Sequence, residues 1–161
     1  WQLATIQLDF SMPERFDLSY VTPGGTEARP VMIHRAILGS IERFMGILIE
    51  HCAGALPVWL APVQVRMMTV TDKQKEYAQK VFEELKALGW RVELDGRNEK
   101  LGYKIREAQM EKIPYAVVIG GREVKEQTIS PRRRGGENLK PMCVKDFVEM
   151  LKAEVTQALG N

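Results

Sequence analysis

The chain has 161 residues, of which 45% are hydrophobic, and carries 23 Lys and Arg against 21 Asp and Glu, for a formal net charge of +2. This length and apolar content allow a buried core and exclude a disordered chain. Apolar runs such as Phe44–Ile49 are far shorter than the ~18 residues of a membrane span, and no leader-like segment opens the sequence, so we expect a soluble, cytoplasmic protein. Two distant cysteines, Cys52 and Cys143, exclude a disulfide framework and a complete zinc site of the CxxC type.

The charges are distributed unevenly along the chain. Residues 1–58 carry four basic and six acidic side chains, whereas residues 59–161 carry nineteen basic and fifteen acidic ones. Within the second region, Arg97–Arg134 contains ten basic and five acidic residues and ends in three consecutive arginines. Such a basic face is either a nucleic-acid contact or an ordinary solvated surface, and charge alone leaves both interpretations open.

The first region predicts two strands followed by a helix. Trp1–Phe10 alternates as a strand does, a turn is predicted at residues 22–26, and a second strand is predicted at Pro30–Ala36. From Gly39 onwards the apolar spacing becomes helical, with Ser40 as the candidate N-cap. This helix is apolar on nearly all sides, so it needs more covering protein than this short region provides.

A second domain is predicted after the linker Trp59–Pro62, which gives domains of residues 1–58 and 59–161. Its predicted strands are Val63–Val70, Trp90–Leu94, Tyr115–Ile119 and Glu123–Ile129, and its predicted helices run from an Asp72 N-cap to Gly89, over residues 99–112, and from Val144 onwards. Strands that alternate with helices predict an α/β domain of about 100 residues, with a mixed sheet of about five strands and about three helices.

The chain offers few residues for metal or acid–base chemistry, because His34 and His51 are its only histidines. His51 precedes Cys52 on the predicted helix, and adjacent helical residues point in different directions, so they cannot hold one metal ion together. His34 is either a core histidine or one ligand of a metal site. A catalytic zinc site needs three protein ligands, and no second or third ligand lies near His34 in the sequence. Asp9 shares the strand face of Gln7 and either holds neighbouring side chains or is a strand-end charge. No GxxxxGK phosphate loop is present.

Four segments resemble one family. HRAILGSIERFMGILIEH, residues 34–51, resembles motif 3 of class II aminoacyl-tRNA synthetases in its threonyl form. WQLATIQLDFSMPERFDLSY before it and LPVWLAPVQV after it are similar to the same family, and GRNEKLGYKIREAQ, residues 96–109, resembles the family's anticodon-binding domain. Leu38 and Ser40 depart from the glycine-rich pattern of class II enzymes in general, as the threonyl branch does. The resemblance covers essentially the whole chain.

The resemblance implies the C-terminal part of a threonyl-tRNA synthetase: the end of an antiparallel-sheet catalytic domain, then an α/β anticodon-binding domain. The intact enzyme, a cytoplasmic homodimer, would activate threonine with ATP and Mg²⁺ and transfer it to tRNA(Thr). Motifs 1 and 2 are not in the chain, so we expect it to be inactive alone. Two alternatives stay open: another class IIa synthetase (prolyl, histidyl or glycyl), and a non-catalytic RNA-binding module of the anticodon type.

In the catalytic part, the resemblance assigns Arg43 to ATP binding and catalysis, and its planar guanidinium suits stacking on adenine beside a phosphate. It assigns Gln7 and Ser40 to threonine and adenylate, and Gln2 to the ATP side. Strict alternation puts Gln2 and Gln7 on opposite strand faces, so both line one pocket only if a bulge or bend intervenes. His34 matches one zinc ligand, with the other ligands upstream of this chain. The family's zinc holds threonine by its amino group and hydroxyl, which rejects valine.

In the second domain, the resemblance assigns anticodon recognition to Asn98, Arg106, Glu123 and Arg132. An anticodon is read through the edges of splayed bases while basic residues hold phosphates. Asn98 offers a donor and an acceptor, Arg106 a forked pair of donors, and Glu123 an acceptor. Four further basic residues are expected to hold phosphates or to be solvated: Lys100, Lys104, Arg133 and Arg134.

Overall fold

The computed structural model describes residues 1–160, which divide into two compact units, one of Trp1–His51 and one that begins at Cys52. Within these residues, no helix combines the length and the apolar character needed to cross a membrane. The domain boundary after residue 58 stays a prediction. The two compact units of the structure divide between His51 and Cys52, several residues before that position.

Side chains bind the segment after Cys52 to the second unit. Arg134 Nη1 donates to the carbonyl of Leu56 over 2.9 Å, and Gln64 Nε2 donates to the carbonyl of Val58 over 2.9 Å. Hydrogen bonds to backbone carbonyls fix the path of a segment that has no regular secondary structure. These bonds explain why residues 52–58, which the prediction assigned to the first domain, belong to the second unit of the structure.

The first unit consists of short strands and two helices: β1 (Ala4–Asp9), α1 (Ser11–Arg15), β2 (Tyr20–Val21), β3 (Glu27–Ala28), β4 (Met32–Ile37) and α2 (Ile41–His51). Strands β1 and β4 pair antiparallel, and β2 pairs antiparallel with β3 across the predicted turn. Gln7 lies directly opposite His34, so the two side chains share one face of the β1–β4 ribbon.

The other face of this ribbon is open to solvent and mostly apolar, with Arg35 opposite Ile6 as its charged residue. Ile6, Leu8 and Ile33 are 66%, 60% and 62% exposed, and no residue of α2 is buried. Apolar surface of this extent is typical of a region that other protein covers. The prediction that the helix needs additional cover therefore agrees with its exposure.

The second unit alternates strands with helices: β5 (Val65–Thr69), a 3₁₀ turn (Asp72–Gln74), α3 (Lys75–Ala87), β6 (Val92–Asp95), α4 (Leu101–Met110), β7 (Tyr115–Ile119), α5 (Gly121–Glu126), β8 (Ser130–Arg133) and α6 (Val144–Leu159). The strand order is β6-β5-β7-β8. The first three strands are parallel, and β8 is antiparallel to β7. The predicted mixed α/β fold is thus confirmed.

Helices cover both faces of this sheet. On one face, α3 and α6 pack on β5 and β7, with Phe147 fully buried and its ring edge-on to Tyr115 at 5.6 Å between centroids. On the other face, which we call the α4 face, Ala108 of α4 packs with Met68 and Ala116. Arg132 of β8 pairs in register with Ala116 and belongs to the α4 face, because paired residues share a face.

The predicted strand Glu123–Ile129 is wrong, because most of this segment is helix α5. The carboxylate of Glu123 accepts a hydrogen bond of 2.9 Å from the backbone N–H of Gly120, which caps the first turn. Arg122 and Glu126 form an ion pair of 2.9 Å across the same helix turn. Strand β8 begins only at Ser130, so the sheet has four strands rather than about five.

The predicted N-cap at Asp72 is also wrong by one residue. Thr71 has the extended backbone of a cap, with φ −140°, and its N–H donates to the side chain of Gln74 over 2.8 Å. Asp72 is instead the first residue of the 3₁₀ turn that leads into α3. Both errors concern the start of a helix. The residue at which a helix begins is set by local hydrogen bonds and not by the apolar pattern.

Candidate functional site

The first unit presents a polar depression on the face shared by Gln7 and His34. Its volume is about 380 Å³, and four of its lining residues belong to this face: Thr5, Gln7, His34 and Ala36. Ile33 and Arg35, which alternate with them along β4, complete the lining. The side chain of His34 is 46% exposed, so His34 is not a core histidine of this unit. Two of the predicted substrate-site residues therefore lie side by side at an accessible surface.

Asp9 orients His34. The Nε2 atom of His34 lies 2.9 Å from Oδ2 of Asp9, and the other carboxylate oxygen accepts hydrogen bonds from the N–H groups of Ser11 (2.8 Å) and Met12 (2.9 Å). The hydrogen bond from the Met12 N–H lowers the pKa of Asp9 below its ordinary value, and the hydrogen bond with His34 adds to this effect. Of the two interpretations of Asp9, the structure favours the one in which it holds neighbouring side chains.

Gln2 does not need a bulge to reach the Gln7 face. Strand β1 begins at Ala4, so strict alternation does not extend back to Gln2. The Gln2 amide donates to the Thr5 hydroxyl over 3.0 Å, and Thr5 lines the same depression as Gln7. The side chains of Gln2 and Gln7 are thus compatible with one face of the ribbon.

Ser40 and Arg43 lie at the start of α2. The turn from β4 places Leu38 and Gly39 in left-handed backbone conformations, with φ 67° and 65°. Ser40 Oγ then accepts the N–H of Arg43 over 3.2 Å, which confirms its predicted capping geometry. In the described part of the chain, no hydrogen bond or ion pair engages the Arg43 guanidinium. Nor does any join Ser40 or Arg43 to the Gln7–His34 pair.

No set of metal ligands is complete in the part of the chain that the structure describes. There, no group of three or more His, Cys, Asp or Glu side chains is arranged to hold a metal ion. His34 has one acidic neighbour, Asp9, and the structure brings no cysteine to it. His34 can therefore contribute a single ligand, oriented by a carboxylate.

The four predicted anticodon residues lie in different elements of the second unit. Asn98 is exposed in the loop after β6, Arg106 is exposed on α4, Glu123 is in the first turn of α5, and Arg132 is on β8. Within residues 1–160, neither Arg106 nor Arg132 forms an ion pair or side-chain hydrogen bond. The Nε atom of Arg132 is also shielded from solvent without a partner. The exposed Arg106 guanidinium is therefore available to a ligand, and the half-buried Arg132 has no internal partner that a ligand would have to displace.

Other basic residues of this region are engaged within the protein. Arg133 donates to the Tyr115 hydroxyl (2.9 Å) and lies 3.4 Å from Glu154, on the face opposite α4. Burial raises the pKa of Tyr115 to about 12. Arg134 donates to two backbone carbonyls. Lys104 is only 1% exposed, so the expectation that it holds phosphate or is solvated is wrong.

Glu123 is partly used by its own domain. One carboxylate oxygen caps α5 at Gly120, and the other accepts the Ser130 hydroxyl over 2.6 Å. Burial raises the pKa of Glu123, but the hydrogen bonds from Ser130 and the backbone outweigh burial and leave it below its ordinary value. Glu123 is thus an ionised acceptor in a fixed position, with lone pairs left for another donor.

A cluster missed by the sequence analysis joins the Asn98 loop to α4. We call Asp95, Arg97, Lys104 and Glu107 the loop anchor. Arg97 donates to both carboxylate oxygens of Asp95, over 3.0 and 2.6 Å, and also to Glu107. Lys104 Nζ donates to the carbonyl of Asp95 over 3.2 Å. Helical spacing could have revealed Lys104, because it lies in the buried stripe with Leu101 and Ala108.

The loop anchor makes the stability of the second unit pH-dependent. The Arg97 guanidinium holds the pKa of Asp95 below its ordinary value of 3.8. A carboxyl group with a lowered folded pKa stabilises the fold above its unfolded pKa, and this contribution is lost as the pH falls through the folded value. We expect Asp95→Asn to reduce the loss of unfolding free energy between about pH 5 and about pH 3, measured by urea denaturation. An unchanged pH dependence in that variant would contradict the assignment.

A larger depression beside the loop anchor offers no free charge. It has a volume of about 680 Å³ and lies along β6. Its arginines are both paired: Arg66 with Glu93 (2.6 Å) and Glu111 (2.7 Å), and Arg97 with the loop-anchor carboxylates. Arg106 and Arg132 therefore differ from the arginines of this depression in being free to bind a ligand.

Family models match both parts of the chain. Residues 61–154 match the anticodon binding domain, and residues 1–52 match the tRNA synthetase class II core domain (G, H, P, S and T). A threonine-tRNA ligase of Clostridium tetani is 59% identical over 155 residues, which are 96% of this chain and 24% of that protein. A threonine-tRNA ligase of Clostridium acetobutylicum is 56% identical over 161 residues, which are 100% of this chain and 25% of that protein.

A solved structure has the same fold. The RNA binding domain of threonyl-tRNA synthetase from Cryptosporidium parvum superimposes with a TM-score of 0.87 and 36% identity, over 96% of this chain and 39% of that one. The chain spans about a quarter of the length of the curated relatives it matches. From these matches, the chain belongs to the anticodon-binding domain family and carries, in residues 1–52, part of a class II tRNA synthetase core similar to that of threonine-tRNA ligases.

Proposed function

We propose that this chain supplies motif 3 and the anticodon-recognition domain of an enzyme that activates threonine with ATP and transfers it to tRNA(Thr). The intact enzyme acts as a homodimer in the cytoplasm, where translation uses the charged tRNA, and binds ATP together with Mg²⁺. The relatives that match nearly the whole chain are threonine-tRNA ligases, which supports threonine over the substrates of other class IIa enzymes.

The observation that carries the RNA-binding part is the pair of free guanidiniums in the second unit. Arg106 is exposed on α4, and Arg132 lies on the α4 face of the sheet, while neighbouring Arg133 and Arg134 are bonded within the domain. Asn98 and Glu123 add an amide and an ionised acceptor. Guanidiniums hold phosphates or fork onto a base, and amide and carboxylate groups read base edges. Together they suit the recognition of an unpaired RNA loop.

In the first unit, we assign Arg43 to the ATP phosphates and adenine. Its guanidinium is exposed and unpaired within the described residues, whereas its backbone N–H is used to cap α2. Ser40 can still donate its hydroxyl proton to a substrate oxygen. Gln7 and, through Thr5, Gln2 offer neutral amides on one face of the β1–β4 ribbon. Neutral hydrogen-bonding groups suit threonine and its adenylate.

His34 fits one ligand position of the zinc ion that the family resemblance implies. Its Nε2 atom is bonded to Asp9, which leaves the second ring nitrogen for a metal, as in other carboxylate–histidine–metal arrangements. When bound, zinc would hold the amino group and hydroxyl of threonine. Asp9 keeps the imidazole in one orientation, and Gln7 lies opposite His34 on the same face of the ribbon. The remaining ligands would come from protein outside this chain.

We expect the chain alone to lack amino-acid activation, because the first unit presents one metal ligand, His34, and the motif 3 arginine, Arg43, without the other catalytic motifs. The measurement is ATP–pyrophosphate exchange with and without threonine. A signal that depends on threonine and stands clearly above the blank would contradict this expectation. Loss of exchange on adding Arg43→Ala to the intact enzyme would support the role of Arg43.

The RNA-binding part can be mapped directly on the full chain. We expect an anticodon stem-loop of tRNA(Thr) to shift the amide resonances of the Asn98 loop, the exposed side of α4 and strand β8. Helix α3 packs on the opposite face of the sheet and should remain unshifted. Shifts confined to α3 and α6 would contradict the proposed surface.

A further inference from the structure

We infer that Arg97 is a positioning residue, which holds the Asn98 loop for base recognition and does not itself contact RNA phosphate. The inference rests on the proposed anticodon-binding function and deepens it. It concerns a residue of the basic region that neighbours Asn98 and whose charge alone would suggest a phosphate contact.

The Arg97 side chain is 52% exposed and its Nη1 has no partner among the described residues, but its Nε and Nη2 atoms both donate to carboxylates of the protein. Its Nε donates to Asp95 Oδ1 over 3.0 Å, its Nη2 donates to Asp95 Oδ2 over 2.6 Å, and the same Nη2 donates to Glu107. Its backbone N–H also donates to Asp95 Oδ1, over 3.1 Å. Two carboxylates already neutralise this guanidinium, so a phosphate would have to compete with both of them.

Both ends of this arrangement are fixed to the domain. Asp95 is 8% exposed at the carboxyl end of β6, and Glu107 belongs to α4. Lys104 is 1% exposed, and its ammonium donates to the carbonyls of Thr69 and Asp95, over 3.3 and 3.2 Å, which ties α4 to the ends of β5 and β6. Arg97 therefore spans two rigid elements.

Asn98 follows Arg97 directly and is exposed, with no hydrogen bond from its side chain to the rest of the described chain. A side chain that reads a base edge needs a defined position, because ordering a mobile loop on binding costs conformational entropy. The loop anchor can supply this order before RNA arrives. The fork of Arg97 is essential to it, since a lysine ammonium cannot bond both Asp95 oxygens and Glu107 in the same planar geometry.

Three variants of the full chain separate positioning from phosphate contact: Arg97→Lys, Arg97→Gln and Glu107→Gln. Binding is measured by fluorescence anisotropy with an anticodon stem-loop of tRNA(Thr) at several salt concentrations. If Arg97 is a positioning residue, all three variants should bind about tenfold more weakly, which is the loss typical of one base contact. The salt slope, that is, the slope of the logarithm of the binding constant against the logarithm of the salt concentration, should not change. A phosphate contact instead predicts near-normal binding by Arg97→Lys, a salt slope smaller by about 0.7 for Arg97→Gln, and tighter binding by Glu107→Gln. That second pattern would overturn the inference.

Failure of the stem-loop to bind would count against the proposed function and not against the role of Arg97 in the loop anchor. A measurement without RNA tests that role separately. Amide hydrogen exchange of residues 96–100 is expected to be at least about fivefold faster in Arg97→Lys and in Glu107→Gln than in the parent chain. Lys80→Ala, which breaks only an exposed ion pair on α3, is the control and should leave this loop unchanged. Equal exchange in all the chains would overturn the inference.

Discussion

Replacing Arg106 and Arg132 together by alanine is expected to weaken binding of a tRNA(Thr) anticodon stem-loop by at least about 30-fold at fixed salt. Each guanidinium is free of internal partners among the described residues, so its removal breaks no ion pair or hydrogen bond of the fold. Arg132 is half-buried, and circular dichroism of the variant checks that the fold is kept. A forked contact to a base is worth about 1–3 kcal/mol, and the two losses add if the residues contact different nucleotides. Fluorescence anisotropy on the full chain measures the change.

Arg133 provides a matched control for this experiment. It is adjacent to Arg132 on the same strand but points to the opposite face, where it bonds Tyr115 and Glu154. Arg133→Ala removes one charge from the same basic run, yet we expect it to change stem-loop affinity by less than about twofold, since no lost contact involves RNA. Equal losses for Arg132→Ala and Arg133→Ala would mean that only the overall charge matters.

Replacing Lys104 by methionine is expected to destabilise the second unit by about 3 kcal/mol, because a buried ion pair loses one member. The ammonium lies 3.9 Å from Asp95 Oδ1, both side chains are nearly inaccessible, and two backbone carbonyls lose their donor. Methionine preserves the length and apolar stem of lysine, so the change tests the charge and its hydrogen bonds more than the packing.

Urea denaturation followed by circular dichroism measures the change in unfolding free energy. Lys100→Met is the matched control, because Lys100 is exposed just before α4 on the same chain segment. We expect this control to shift the unfolding free energy by less than about 0.5 kcal/mol. A Lys104→Met chain as stable as the parent would show that the buried charge contributes nothing to the fold.

The fold of the second unit was predictable because its strands and helices have clear apolar periods. Val144, Phe147 and Leu151 lie on one helical stripe and are all buried. The predicted strand at Glu123–Ile129 was wrong for the opposite reason: a single cap, from Glu123 to the Gly120 N–H, decides that segment. Short elements depend on such individual hydrogen bonds, which no apolar pattern records.

The residues of the candidate sites could be named from the sequence, but their hydrogen-bond and ion-pair partners could not. The family resemblance pointed to His34, Arg106 and Arg132, but neither resemblance nor charge distinguishes a free arginine from a paired one. Arg132 and Arg133 are neighbours in sequence and opposite in role, because alternate residues of a strand face opposite sides of the sheet. The burial of Lys104 could likewise be predicted only from its place in the apolar stripe of α4, because a lysine is usually exposed.

If the second unit reads the bases of an anticodon loop, its affinity must depend on the anticodon sequence. The most direct test compares the affinity of the full chain for a tRNA(Thr) anticodon stem-loop with its affinity for the same stem-loop carrying one replaced anticodon base, at a single salt concentration. We expect the replaced loop to bind at least about tenfold more weakly, since one base-edge contact is lost and the phosphates are unchanged. Equal affinity for the two loops would contradict it, because the binding would then depend on charge alone.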